Sequence, residues 1–166
     1  MEELLKKLLA ILEQKDRHFK QLLDLVKQEK ESIVHNRTEE LQDLVGRQEQ
    51  MVKTTAQLEK ERIKLTWQIA EGLKIPGKQV TMSQIITAVS EPYKSGLTKM
   101  YNQIVATLQE MDGLNKINAE LVKSSLNYIN FSLKTFNKAS NINPTYEGSG
   151  KIKDILKERK SFDKEI

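Results

Sequence analysis

Between Leu5 and Ile33, nine positions alternate three and four residues apart, and seven of them are apolar. They are Leu5, Leu8, Leu12, Lys15, Phe19, Leu22, Val26, Glu29 and Ile33. Such a set falls on one line only in an α-helix, and the alternation is that of a coiled-coil seam. Leu4, Leu9, Ile11, Leu23 and Leu25 widen the seam, as a helix contacting two neighbours requires. The spacing predicts a helix over residues 2–34, about 50 Å long at 1.5 Å per residue, and therefore an elongated molecule.

The pattern breaks at His35-Asn36-Arg37-Thr38-Glu39, where Asn36 and Glu39 have the spacing of a capping box. A second helix is expected to about Glu71, with Leu41, Leu44, Met51, Leu58, Leu65 and Ile69 on its seam and Gln48, Thr55 and Arg62 interrupting it. The short link makes the pair an antiparallel hairpin, ended by Gly72 and Pro76-Gly77. Trp67 reads as a seam anchor at the hairpin's far end. Thr81-Met82-Ser83-Gln84 is a second capping box, opening a short helix over 82–89. Pro92 then suits the first turn of a last long helix, roughly 92–137. Leu97, Met100, Ile104, Leu108, Met111, Leu114 and Ile117 form its seam. The fold class is all-α: an elongated antiparallel bundle of three long helices and one short connecting helix. Residues 1–140 read as the bundle domain, and 141–166 as a flexible segment with a basic tail from Lys151.

Charge is distributed very unevenly. Residues 1–75 carry 28 charged side chains, 93–140 only nine, and 124–133 none. In that bare window Leu126, Ile129, Leu133 and Phe136 share one side of the helix, and Leu121, Tyr128 and Phe131 lie well round from them. A helix with a solvated back should be charged there, and interface cores are poor in charge and rich in aromatics. The last helix is therefore expected to be covered twice, once by its own bundle and once by a partner.

Other chemistries are poorly supplied. The chain has no cysteine, which excludes disulfides and thiolate chemistry and suits a reducing compartment. Its two histidines, His18 and His35, have no metal-ligand spacing, and there is no glycine-rich phosphate loop. No enzyme, cofactor or metal is indicated. The net charge of +4 lies in the second half, where Arg159 is the single arginine, too thin a basic stripe for nucleic acid. The acidic opening Met1-Glu2-Glu3 is unlike a secretory signal, and no apolar run reaches the roughly 20 residues of a membrane span. The expected setting is cytoplasmic.

Three features have two readings each. Asn115 and Asn118 fit either a buried polar layer that fixes helix register or amides that bond a partner. Leu121, Tyr128 and Phe131 fit either a helix docked between two others or a spare face. Tyr146, alone in a Pro/Gly-containing segment, fits either casual docking on the bundle or a linear contact.

Together these features resemble the FlgN family of flagellar type III export chaperones, from the first helix to about Gly150. Leu58-Glu59-Lys60-Glu61-Arg62 is similar to the family's LExxR stretch, and Thr81-Met82-Ser83-Gln84-Ile85-Ile86 to its short helix, with Pro92 at the expected distance. Leu114-Asn115-Lys116-Ile117-Asn118-Ala119-Glu120-Leu121 resembles its N-x-x-N-x-x-L signature, continuing through Ser125-Leu126-Asn127-Tyr128-Ile129. Pro144-Thr145-Tyr146-Glu147-Gly148-Ser149-Gly150 resembles its terminal Tyr-Gly segment, whereas the tail 151–166 is an addition.

The resemblance implies a cytoplasmic chaperone that binds the C-terminal helical region of the hook–filament junction proteins, hook-associated proteins 1 and 3. It would prevent their premature assembly and deliver them to the cytoplasmic domain of the export gate. The implied client-binding residues are Asn115, Asn118, Leu121, Val122, Ser125, Tyr128, Ile129 and Phe131, and the gate contact is Tyr146. The rival reading is a self-associating coiled-coil scaffold without a client. The sequence leaves open whether the free chaperone forms a weak homodimer.

Overall fold

The computed structural model describes residues 1–76, 80–140, 145–146 and 152–153. The described residues form four helices: α1 (Glu2–Val34), α2 (Thr38–Gly72), α3 (Met82–Ala88) and α4 (Tyr93–Ser140). Two-residue strands β1 (Thr145–Tyr146) and β2 (Ile152–Lys153) pair antiparallel, Tyr146 opposite Ile152. The chain packs as two units, Met1–Leu121 and Val122–Ile166, and the boundary falls inside α4.

In the first unit the seam of α1 is buried as its spacing requires: Leu5, Leu8, Leu12, Leu22, Val26 and Ile33 are all interior. Its two polar positions are matched by polar residues of α2. Lys15 is buried and pairs with Glu59, and Glu29 accepts from Gln48 Nε2 at 2.9 Å. These pairs run in opposite directions along the two helices, so the hairpin is antiparallel. Of the interruptions in the α2 seam, Gln48 is thus the counterpart of Glu29 in α1.

The tightest packing gathers the start of α1, the end of α2, α3 and the start of α4. Leu8, Ile69, Ile85 and Leu97 meet there with no exposed surface. Each such side chain contributes roughly 1.5–3 kcal/mol of transfer free energy. Helix α3 is held for this purpose by its expected capping box. Gln84 N donates to Thr81 Oγ1 at 3.3 Å and Thr81 N to Gln84 Oε1 at 2.9 Å. Helix α4 runs parallel to α1: Tyr93 donates to Glu2 at 3.2 Å, Lys27 pairs with Glu110 at 2.8 Å, and Asn118 bonds Val26.

Several expectations change. Asn36 does not cap α2, whose N-cap is Arg37 with no side-chain bond. Asn36 instead takes φ 54° and closes α1, with Arg37 N on Ser32 O at 2.8 Å and Asn36 N on Ile33 O at 3.2 Å. That pair of bonds is a Schellman motif, in which asparagine tolerates the left-handed conformation. The end of α2 repeats it with Lys74 at φ 57°, rather than at Gly72. There Ile75 N donates to Ala70 O at 2.9 Å and Lys74 N to Glu71 O at 3.1 Å.

Trp67 is no seam anchor. It is 44% exposed, because the inward face of α2 at that level is taken by Thr66, Ile69 and Ala70. On α4 the seam passes through Thr107 and Asn118, both buried, and leaves Leu108 and Ile117 exposed. Gly77 and the tail beyond Lys153 lie outside the described residues.

Candidate functional site

Within the second unit, residues 122–136 of α4 bury no side chain, and only Ser125 is half-covered. Leu126, Tyr128, Ile129, Phe131, Leu133 and Phe136 are 51–73% exposed, and Val122 is 39% exposed. The side expected to be covered by the bundle, Leu126, Ile129, Leu133 and Phe136, is therefore as open as the side expected to be spare. The 3–4 alternation of Ile104, Thr107, Met111, Leu114 and Asn118 continues through Leu121 and Ser125, both half-covered, to Tyr128, which is open. A helix apolar all round should be buried. This one offers roughly 20 Å of apolar surface (15 residues at 1.5 Å each) with no acidic group in it.

The two asparagines separate. Asn118 is 3% exposed and its Nδ2 donates to the carbonyl oxygen of Val26 at 3.2 Å, so its amide is engaged within the bundle. Asn115, one turn earlier, is exposed and stands at the edge of a groove. Leu121 is half-buried, at the end of the first unit. The backbone of Tyr146 lies in β1, and its side chain is outside the described set.

That groove was not anticipated from the sequence. It has a volume of about 580 Å³ and runs between α1, α2 and α4 within the first unit. Phe19, Leu22 and Val26 form its floor, with Val52 and Ala56 of α2 and Met111 of α4 beside them. It exists because α2 presents Gln48, Val52, Thr55 and Ala56 there, side chains too small or polar to fill the space above α1. The signal was visible as the interrupted α2 seam.

One end of the groove is charged. Arg62 donates to Glu59 through Nη2 at 2.7 Å and Nε at 2.9 Å, and Lys15 approaches the same carboxylate from α1, its Nζ 5.6 Å from the Phe19 ring centroid. Hydrogen bonds from Arg62 and then Lys15, with both positive charges, hold the Glu59 carboxyl down at about 2 against the opposing effect of burial. The LExxR stretch is therefore a bidentate Glu–Arg pair within α2, and the ion pair from Lys15 to its Glu59 fastens α2 to α1. Half-buried His18 leaves Nδ1 without a partner among the described residues. No described group of three or more His, Asp or Glu side chains is placed to hold a metal ion, and no described helix is long and apolar enough to cross a membrane.

The family model described as FlgN protein matches residues 1–154. Uncharacterized protein YvyG of Bacillus subtilis (strain 168) is 25% identical over 139 residues, covering 80% of this chain and 84% of that protein. No solved structure matches.

Proposed function

The chain belongs to the FlgN family of flagellar export chaperones, and from that premise we propose that it serves the hook–filament junction proteins in the cytoplasm. Hook-associated proteins 1 and 3 are the clients, and the site is the bare stretch of α4. The observation that carries this reading is the exposure of Tyr128, Phe131 and their neighbours on a helix without nearby acids. Subunits that polymerise through amphipathic helices are adhesive until they meet their neighbours in the filament. A helix with open apolar sides pairs with such a client helix through anchors at helical spacing. The lack of charge lowers the desolvation cost of pairing.

Leu121, Val122, Ser125, Tyr128, Ile129 and Phe131 make up the client surface, with Asn115 at its near end. Asn118 is withdrawn from it. A few anchors worth roughly 1.5–3 kcal/mol each, less the cost of association, place affinity between nanomolar and micromolar, weak enough for release. Tyr146 is the proposed contact with the cytoplasmic domain of the export gate, so Tyr146→Ala lowers gate binding and leaves client binding unchanged.

The test is a calorimetric titration of the full chain with the C-terminal helical regions of the two junction proteins from the same genome. Saturable one-to-one binding that is weakened by Phe131→Ala supports the reading. Absence of heat with either client, in a protein that sediments as a stable dimer, would replace it with the self-associating scaffold.

A further inference from the structure

Helix α2 has an apolar stripe that its own bundle leaves exposed. Val45, Val52, Ala56, Ile63 and Trp67 are all exposed, the four large ones by 41–57%, and they follow one another at seven, four, seven and four residues. That spacing sets them on one side of the helix over roughly 33 Å. Isolated exposed apolar residues are ordinary. These are aligned, and Val52 and Ala56 at their centre also form a wall of the groove over α1. Of the buried residues of α2, Leu44, Thr66 and Ile69 lie to one side of the stripe, whereas Ala70 carries its line on into the core beyond Trp67.

We propose that this stripe and the adjoining groove dock an amphipathic helix with an acidic flank, supplied by a partner other than the α4 client. The charge pattern selects that occupant. Lys53, Lys60 and Lys64 are exposed along one flank, between Glu49 and Glu71, and none of the three belongs to an ion pair among the described residues. The other flank presents Gln48, Thr55 and Glu59, whose carboxylate is already held by Lys15 and Arg62. An incoming helix therefore meets three free ammonium groups on one side, with the carboxylates of Glu49 and Glu71 at the two ends of that flank, and no free charge on the other, and a row of carboxylates opposite the lysines fixes its orientation.

A second copy of this chain fits poorly. The bare stretch of α4 brings Lys123 and Lys134 and no acid. Another α2 laid antiparallel over the stripe sets Lys53 against Lys60 at its centre.

Trp67 is the chain's single tryptophan and stands at one end of the stripe, so its emission reads occupancy directly. The full chain is titrated with two synthetic helical peptides of about 24 residues, long enough to span the stripe. Both carry the same apolar heptad pattern, one with Glu on its flanks and the other with Lys. The expected result is a saturable blue shift with the Glu peptide and at least tenfold weaker binding of the Lys peptide. The double variant Lys60→Glu/Lys64→Glu reverses that preference, and Ile63→Ser weakens the Glu peptide at least tenfold. Tyr128→Ala/Phe131→Ala leaves the Trp67 response unchanged, which keeps this surface distinct from the proposed client site. No shift with either peptide, equal binding of both, or a shift that follows protein concentration and dimer formation alone overturns the proposal.

Discussion

Asn118 of α4 donates its Nδ2 to the carbonyl oxygen of Val26 in α1 at 3.2 Å, while its Oδ1 is buried without a partner. One amide is thus half used. A single buried asparagine in a helical seam fixes register at a cost in stability. Asn118→Leu fills the same space without an orphaned acceptor and should add about 1–2 kcal/mol. Thermal unfolding followed by circular dichroism should show a midpoint several degrees higher; a lower one means the bond outweighs the orphan.

Glu59 makes the bundle acid-sensitive. A carboxyl with a depressed folded pKa contributes stability that is complete above its unfolded pKa and fades as the pH falls toward the folded value. For Glu59 the window lies between the ordinary 4.5 and about 2. Its side chain is 38% exposed, so solvent screening reduces the effect to about 1 kcal/mol. Denaturant midpoints measured across that window should fall with pH in the parent, and fall less in Glu59→Gln. Equal slopes would remove Glu59 as the cause.

Two backbone positions are open to improvement. Lys74 holds φ 57°, a conformation that costs a side-chain-bearing residue roughly 1–2 kcal/mol, so Lys74→Gly should stabilise the end of α2. Gly113 lies within α4, and a Cβ added there meets nothing within 4 Å. Gly113→Ala should add about 1 kcal/mol. The two sites lie on different helices, and urea midpoints should show their gains adding.

Tyr128 and Phe131 are 73% and 68% exposed, so their removal should not disturb packing. Tyr128→Ala and Phe131→Ala are expected to leave helicity and the thermal midpoint unchanged and to weaken client binding at least tenfold. Helicity lost in step with binding would return these residues to the core.

Legibility followed the strength of the periodic signal. The α1 seam is long and regular, and its range, its buried face and the antiparallel hairpin were all readable from spacing. The Thr81–Gln84 box was readable because both partners are local. Asn36 was misread because asparagine serves equally at a helix start and at a left-handed helix end, and only the bonds of Arg37 and Asn36 to Ser32 and Ile33 decide. Trp67 was misplaced because an aromatic on a seam-bearing helix looks like core until the helix is rotated into register. The α4 seam was drawn through the apolar Leu108 and Ile117, whereas packing against α1 selected Thr107 and Asn118. Which sides of residues 122–136 would be covered could not be read at all, since it depends on neighbours and not on the helix itself.

The openness of that stretch makes protection mutual. Seven large apolar side chains left in water between Val122 and Phe136 are as much a hazard to their owner as a client's helix is to the client. On the proposed reading each partner solubilises the other, and export of the client returns an exposed chaperone to the cell. Its free concentration must then stay low, so supply of new client would govern how much chaperone the cell can safely hold.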